Sequence, residues 1–193
     1  MHDFDECITV DLAKSSFAEF DFERCKCLTI YHHRSKDGNF CGLPDIPDLE
    51  ALRVYFTNAA SFKGLERYPA LRSLEMRYCP KIMDVCGLPA DYISELEIEN
   101  APKLKGYKDL ARLKHLKTLS VNECGDIESL EFLLMLTELE EFRFVGTKIL
   151  DKDLSVLLSH PSLKRVAGYD RRTYSHHIDD INRVLESQRG SAN

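Results

Sequence analysis

Apolar residues along this chain recur in a nine-residue phrase. Aligned on the first apolar residue, the clearest copies read LEALRVYFT (49–57), LRSLEMRYC (71–79), ISELEIENA (93–101), LKTLSVNEC (116–124) and LEEFRFVGT (139–147). A looser copy, CKCLTIYHH (25–33), precedes them, and LKRVAGYDR (163–171) follows. The start-to-start spacings are 24, 22, 22, 23, 23 and 24 residues. Positions one, four and six are apolar: Leu71, Leu74 and Met76 in one copy, Leu116, Leu119 and Val121 in another. Positions four and six lie two apart, the strand period, so both point inward from one short strand. Positions three, five, seven and eight then face solvent. Self-similarity at this period predicts a solenoid, because one unit cannot bury its apolar face alone and neighbours must stack.

The ninth position is small or weakly polar: Thr57, Cys79, Ala101, Cys124 and Thr147. A further apolar residue follows, at Ile82, Leu104, Ile127 and Ile149. The whole phrase resembles the leucine-rich repeat family, L-x-x-L-x-L-x-x-N/C-x-L, over residues 25–171. The departure is at position nine, where typical copies carry an Asn that bonds backbone amides along an inner ladder. Thr and Cys do this less well, and Ala101 has no side-chain group to do it. The resemblance implies an α/β solenoid, with a curved parallel sheet on the concave side and short helices, 3₁₀ turns and loops on the convex side.

The segments GLERYPALRSL, GYKDLARLKHLKTL and SLEFLLMLTELEEF carry apolar residues at i, i+3 and i+4, which predicts short helical turns on the outer side. VCGLPADYISEL holds Gly87 and Pro89 and reads as 3₁₀ or irregular. The chain is read as a single domain, 1–193, with an N-terminal cap (1–24), about seven repeats (25–171) and a C-terminal helical cap and frayed tail (172–193). Phe17, Phe20 and Phe22 are placed to close the first end, and 34–48 is a Gly/Pro-rich loop. At the far end SHHIDDINRVLES predicts an amphipathic helix, with Ser175 as N-cap and Ile178, Ile181 and Leu185 on one face.

Composition narrows the function classes. Hydrophobic content of 44% supports a continuous core, and no apolar run approaches the length of a membrane span. The net charge of −6 argues against nucleic acid, which needs a concentrated basic surface, and suits a basic partner. The acidic N-terminus, MHDFDECITVDL, has no signal-peptide pattern. Seven cysteines without CxxC or zinc spacing read as reduced, mostly buried thiols, giving a cytoplasmic expectation.

Stacked copies place their solvent-facing positions in columns. The first part of this surface carries Tyr31, His32, Arg53, Tyr55, Phe56, Arg77 and Tyr78, residue types that anchor protein interfaces. The middle carries Glu75, Glu95, Glu97, Glu99, Asn100 and Glu123. Carboxylates on adjacent strands repel each other without a cation between them, so they read as a site kept for a basic group. The last part offers Glu141, Arg143, Arg165, Tyr169 and Asp170. Metal binding finds no support: His32 and His33 point to opposite faces of a strand, and His176–His177 have no further ligand at suitable spacing. No cofactor is expected. GxSxG, P-loop, HExxH and GxGxxG motifs are absent, and Cys41, the one thiol expected to be exposed, has no activating neighbour in sequence.

The residues therefore predict a monomeric, non-enzymatic module that holds one protein partner bearing a basic patch, with neither membrane nor nucleic acid involved. Short free-standing proteins of the resembled family include inhibitors that neutralise a cognate toxin or enzyme, which implies an inhibitor or immunity-type role here. The alternatives are an adaptor that positions an enzyme without inhibiting it, and a small hydrolase or transferase using Cys41 or His177.

Overall fold

The computed structural model describes residues 7–190. Eight parallel strands form one open sheet in strict chain order: β1 (Cys7–Asp11), β2 (Cys27–Tyr31), β3 (Ala51–Tyr55), β4 (Ser73–Arg77), β5 (Glu95–Glu99), β6 (Thr118–Asn122), β7 (Glu141–Arg143) and β8 (Arg165–Ala167). Corresponding positions of successive copies pair directly: Leu52 with Leu74, Leu74 with Leu96, and Leu96 with Leu119. This is the leucine-rich-repeat-type solenoid that the spacing predicts. In β5, ELEIE, the two apolar residues Leu96 and Ile98 are buried while the three glutamates stand on the other face. Among the described residues no helix is long and apolar enough to cross a membrane.

The sheet begins one strand earlier than the first recognised copy. β1 lies inside the segment read as a cap and pairs in register with β2, Cys7 opposite Cys27 and Thr9 opposite Thr29. Phe17, Phe20 and Phe22 follow it, half-buried against the core, with ring centroids 6.2–6.3 Å apart. The acidic residues 1–6 and the tail 191–193 lie outside the described residues.

The outer side is built on triplets rather than α-turns. Leu65, Tyr68 and Leu71 are buried, and their N–H groups donate in turn to Phe62, Leu65 and Tyr68. The chains Leu110–Leu113–Leu116 and Leu130–Leu133–Leu136–Leu139 repeat this three-residue bonding. Two of the segments expected to be helical contain 3₁₀ turns, Tyr107–Arg112 and Glu131–Met135. GLERYPALRSL holds no helix, because Pro69 lacks the donor a helix would need. At three residues per turn, every third side chain faces the core. These turns stack closely: a Cβ on Gly87 would sit 2.4 Å from the Lys63 backbone, so only glycine fits there at its φ of +88°.

The ninth position does form a ladder. Thr147 Oγ1 donates to Val121 O at 2.7 Å and accepts from Cys124 N at 2.9 Å, and Cys124 Sγ donates to Ile98 O at 3.3 Å. At Ala101 the backbone takes over, with Gly125 N donating to Ala101 O at 3.0 Å.

At the last edge, α2 (Ile178–Gly190) lies against β8. Ile178, Ile181 and Leu185 are buried as their spacing requires. Asn182 accepts from Val166 N and donates to Val166 O, both at 2.9 Å, standing in for a ninth strand on an otherwise open edge. Ser175 is not the N-cap of α2. Its hydroxyl accepts from Leu154 N at 2.8 Å, while Asp170 Oδ1 takes the Ile178 N–H at 2.8 Å. A short helix, α1 (Ser155–Ser159), precedes β8 and was not anticipated from the sequence.

One chemical expectation is overturned. Cys7 and Cys27, directly opposed on β1 and β2, are joined as a disulfide with Cα atoms 4.6 Å apart. The register brings the two thiols together, and spacing within one strand could not reveal it. Cys25, Cys79 and Cys124 remain buried thiols, and Cys41 and Cys86 are exposed.

Candidate functional site

The solvent-facing side of the sheet divides into an aromatic half and a charged half. Strands β2–β6 end at position seven, and the next residue still bonds the ladder. His32 N donates to Tyr55 O at 2.9 Å, Phe56 N to Arg77 O at 3.0 Å and Tyr78 N to Glu99 O at 3.1 Å. The chain then turns away through a left-handed residue at position eight in every case: His32 (φ 58°), Phe56 (60°), Tyr78 (53°), Asn100 (56°) and Glu123 (50°), with Gly146 (78°) next in the column. This conformation is common for Gly and tolerated by Asn, but disfavoured for aromatic residues.

The consequence is a column of rings along the sheet rim. His32 and Phe56 stack with centroids 5.4 Å apart and planes 13° from parallel. Phe56 and Tyr78 follow at 4.6 Å and 6°. One position inward, Tyr31 and Tyr55 stack at 5.0 Å and 15°. Phe56 and Tyr78 remain 40% and 46% exposed, so ordered aromatic surface faces water. Five of the expected contact residues are thereby brought together: Tyr31, His32, Tyr55, Phe56 and Tyr78.

The charged half is wired rather than vacant, which corrects the expectation of unpartnered carboxylates. Arg77 reaches three of them: Glu75 at 2.6 Å, Glu97 at 2.7 Å and Glu99 at 3.3 Å. Arg53 approaches Glu75 at 3.6 Å, and Tyr55 Oη donates to Glu75 at 2.6 Å, tying the two halves together. Burial disfavours the Arg77 cation, but Glu97, Glu75 and Glu99 outweigh it and hold its proton affinity above the ordinary value. Burial also pushes the Glu97 carboxyl up against the pull of Arg77, and Glu75 and Glu99 push it the same way. Glu95 accepts the Ser73 hydroxyl at 3.0 Å. Among the described residues neither Glu95 nor Glu123 lies within ion-pair distance of a cation.

Arg143 pairs along its own strand with Glu141 at 2.9 Å, and its charge also pulls the Glu97 carboxyl down from two strands away. Tyr169 is 64% exposed beyond β8, three strands from Glu99, and joins neither ring column. Asn100 continues the rim column after Tyr78. Two contributors escaped the sequence reading. Asp11 bonds His32 Nδ1 at 2.7 Å, and this bond, with the Ala13 N–H, holds its carboxyl below the usual range. The Cys7–Cys27 disulfide lies under Arg53, whose Nη1 is 3.6 Å from Cys27 Sγ. The likeness of CITV (7–10) to CLTI (27–30), with Cys and Thr at matching positions, was the signal for both.

Two of the groups weighed for metal binding or catalysis, His33 and Asp170, make structural contacts. His33 is buried, bonded to Thr57 Oγ1 at 2.9 Å and stacked on Phe40, on the side opposite His32. Asp170 faces His177 at 3.5 Å and caps α2. Burial pushes the Cys79 and Cys124 thiols up to about 12, away from thiolate chemistry. Among the described residues no three His, Cys, Asp or Glu side chains cluster as metal ligands do.

No family model and no curated protein matches the chain. Among solved structures it is similar to an internalin (inlF) from Listeria monocytogenes strain 4b F2365, at 14% identity and a TM-score of 0.47. The match covers 77% of this chain and 51% of that one, so this chain spans about half its length. The fold assignment stands on the strand order and register described above.

Proposed function

We propose that this protein is a non-enzymatic binding module that holds one partner protein on its sheet face and neutralises it, in the manner of an inhibitor or immunity protein. The observation that carries the reading is the rim column His32–Phe56–Tyr78. Bulky rings sit where glycine or asparagine costs less, remain exposed, and are held rigid by stacking. The left-handed turn recurs along the column from His32 to Gly146, and what sets this stretch apart is the ordered aromatic surface it leaves in water, which points to use rather than to stability. Rigid aromatic side chains lose little conformational entropy on binding, which suits them as anchors. Neutralisation fits a face ordered before its partner arrives, because stoichiometric capture rewards preorganisation. A net acidic surface beside the rings would steer a basic partner onto them.

The test is affinity capture from native extract with the wild-type chain and with a Phe56→Ala/Tyr78→Ala variant. A stoichiometric partner retained by the first and lost by the second, with both proteins folded, supports the reading. A partner held equally by both removes the sheet face from the account. Assay of the partner's activity in the complex then separates neutralisation from positioning, and loss of activity is the expected result.

A further inference from the structure

The aromatic and charged halves meet at the junction of β4 and β5. Tyr78 ends the ring column, and its neighbour in that column is Asn100, whose Nδ2 leans on Glu99 at 3.4 Å. One position inward Arg77 is followed by Glu99, and two further in Glu75 is followed by Glu97. Neighbouring strands lie roughly 4.8 Å apart, so all these groups fall within the reach of one side chain. On strands β3–β5 and the residue after β6, five carboxylates (Glu75, Glu95, Glu97, Glu99 and Glu123) face two guanidinium groups (Arg53 and Arg77), a net charge of −3. Arg77, at the junction, is divided among three of those carboxylates, and Glu75 is shared with Arg53. Electrostatics therefore leave room for another cation beside an exposed ring.

We propose that the partner inserts an arginine side chain at this junction, its guanidinium against the Tyr78 ring and its charge shared by Glu97 and Glu99. The inference rests on the reading of the sheet face as a protein-binding surface, and it names the chemistry of what lands there. Arginine fits better than lysine for two reasons. Its planar group stacks on a ring while its edge donates to carboxylates, and it is the more weakly hydrated cation. The face already holds one guanidinium through carboxylates, for Arg77 lies among Glu75, Glu97 and Glu99. Glu95 and Glu123 add attraction, and among the described residues neither is ion-paired with a cation.

The test selects binders of the full chain from a random linear peptide library and sorts them by loss of binding to Tyr78→Ala. Folding of each variant is confirmed by its melting curve. Face-directed peptides are expected to share an arginine whose replacement by lysine weakens binding about tenfold, and by citrulline further. Glu97→Gln combined with Glu99→Gln should erase the preference for arginine over citrulline. Face-directed peptides that bind without a basic residue, or that accept lysine equally, overturn the arginine inference and leave the protein-binding face standing. If no selected peptide is sensitive to Phe56→Ala or Tyr78→Ala, the face itself is wrong and both readings fall together.

Discussion

Phe56 and Tyr78 lie face to face on adjacent turns of the solenoid, 4.6 Å between centroids and 6° from parallel, each in a left-handed backbone conformation. Each ring covers one face of the other and leaves its edge to water. Removing both should therefore act on binding more than on folding. Phe56→Ala with Tyr78→Ala is expected to weaken the partner complex by roughly 1,000-fold, since anchors of this kind contribute about 2 kcal/mol each. The melting temperature should fall by roughly 2–4 °C, corresponding to about 1 kcal/mol of lost stacking in a chain of this size. Tyr55 is a poorer target, because its hydroxyl is bonded to Glu75 and its loss would loosen the ion network as well.

The left-handed column makes a prediction of its own. Glu123 has a φ of 50° and Gly146, next in line, one of 78°. Glu123→Gly should relieve the Cβ crowding of that conformation and stabilise the fold by about 0.5–1 kcal/mol, despite the greater freedom of glycine when unfolded. Gly146→Ala should destabilise by about 1 kcal/mol or more, because its Cβ would lie 3.0 Å from Glu123 Cγ in the same strained region. Urea denaturation of the two variants checks both signs. Equal and opposite-to-expected shifts would show that position eight is not strained.

Leu119→Ala and Leu74→Ala probe the register directly. Both side chains are buried at the fourth position, at 0% and 1% exposure. Each truncation is expected to cost about 2–5 kcal/mol through the cavity left behind. Because repeats support only their neighbours, the loss should also make the unfolding transition broader or biphasic by circular dichroism. A cost below about 1 kcal/mol at both sites would mean that the inward positions are misassigned.

What the chain revealed before folding follows from what kind of contact each feature uses. The alternation in ELEIE (95–99) announces a strand and its inner face, and the repeat spacing announces the sheet. The pairing of Arg77 with Glu75, Glu97 and Glu99 depends on register between residues two to twenty-two apart. Column alignment places these residues side by side, but only the folded geometry shows one guanidinium serving three carboxylates. The ring stack escaped for another reason: it needs a positive φ at position eight, which aromatic residues do not advertise. CITVDL reads as a strand-like alternation, but its place in the repeat escaped because it precedes its neighbour by 20 residues, a shorter step than any later one. The outer segments read as helical since i, i+3, i+4 apolar spacing is shared by α-turns and by triplet turns that drift.

His33 links stability to pH. Burial, and then the Arg34 charge, lower its pKa from 6.5 to about 4 in the folded chain. Between those values the unfolded state binds a proton that the native state refuses. The neutral ring therefore contributes stability that is fully present above pH 6.5 and is lost as pH falls toward 4, about 3 kcal/mol in all. His160, lowered by burial, acts in the same direction. His33→Gln should flatten the fall in urea midpoint between pH 6.5 and 4 by about one proton's worth, leaving the His160 share. An unchanged slope would place the titration elsewhere.

The thiols give a count that separates the structure from the reading of seven free cysteines. With Cys7 and Cys27 joined, five thiols remain, two exposed (Cys41 and Cys86) and three buried (Cys25, Cys79 and Cys124). A colorimetric thiol titration without reductant should therefore register two groups in the native protein and five after unfolding in guanidinium. Prior reduction should raise the unfolded count to seven. The buried groups should react slowly while folded, since burial lifts Cys79 and Cys124 to about 12 and leaves almost no thiolate at neutral pH. Reduction should also loosen β1, which the disulfide holds to β2 beneath Arg53, and Cys7→Ser should reproduce that loss. Seven thiols in unreduced, unfolded protein would show the pair open, and would return the chain to the reducing compartment that its cysteine pattern first suggested.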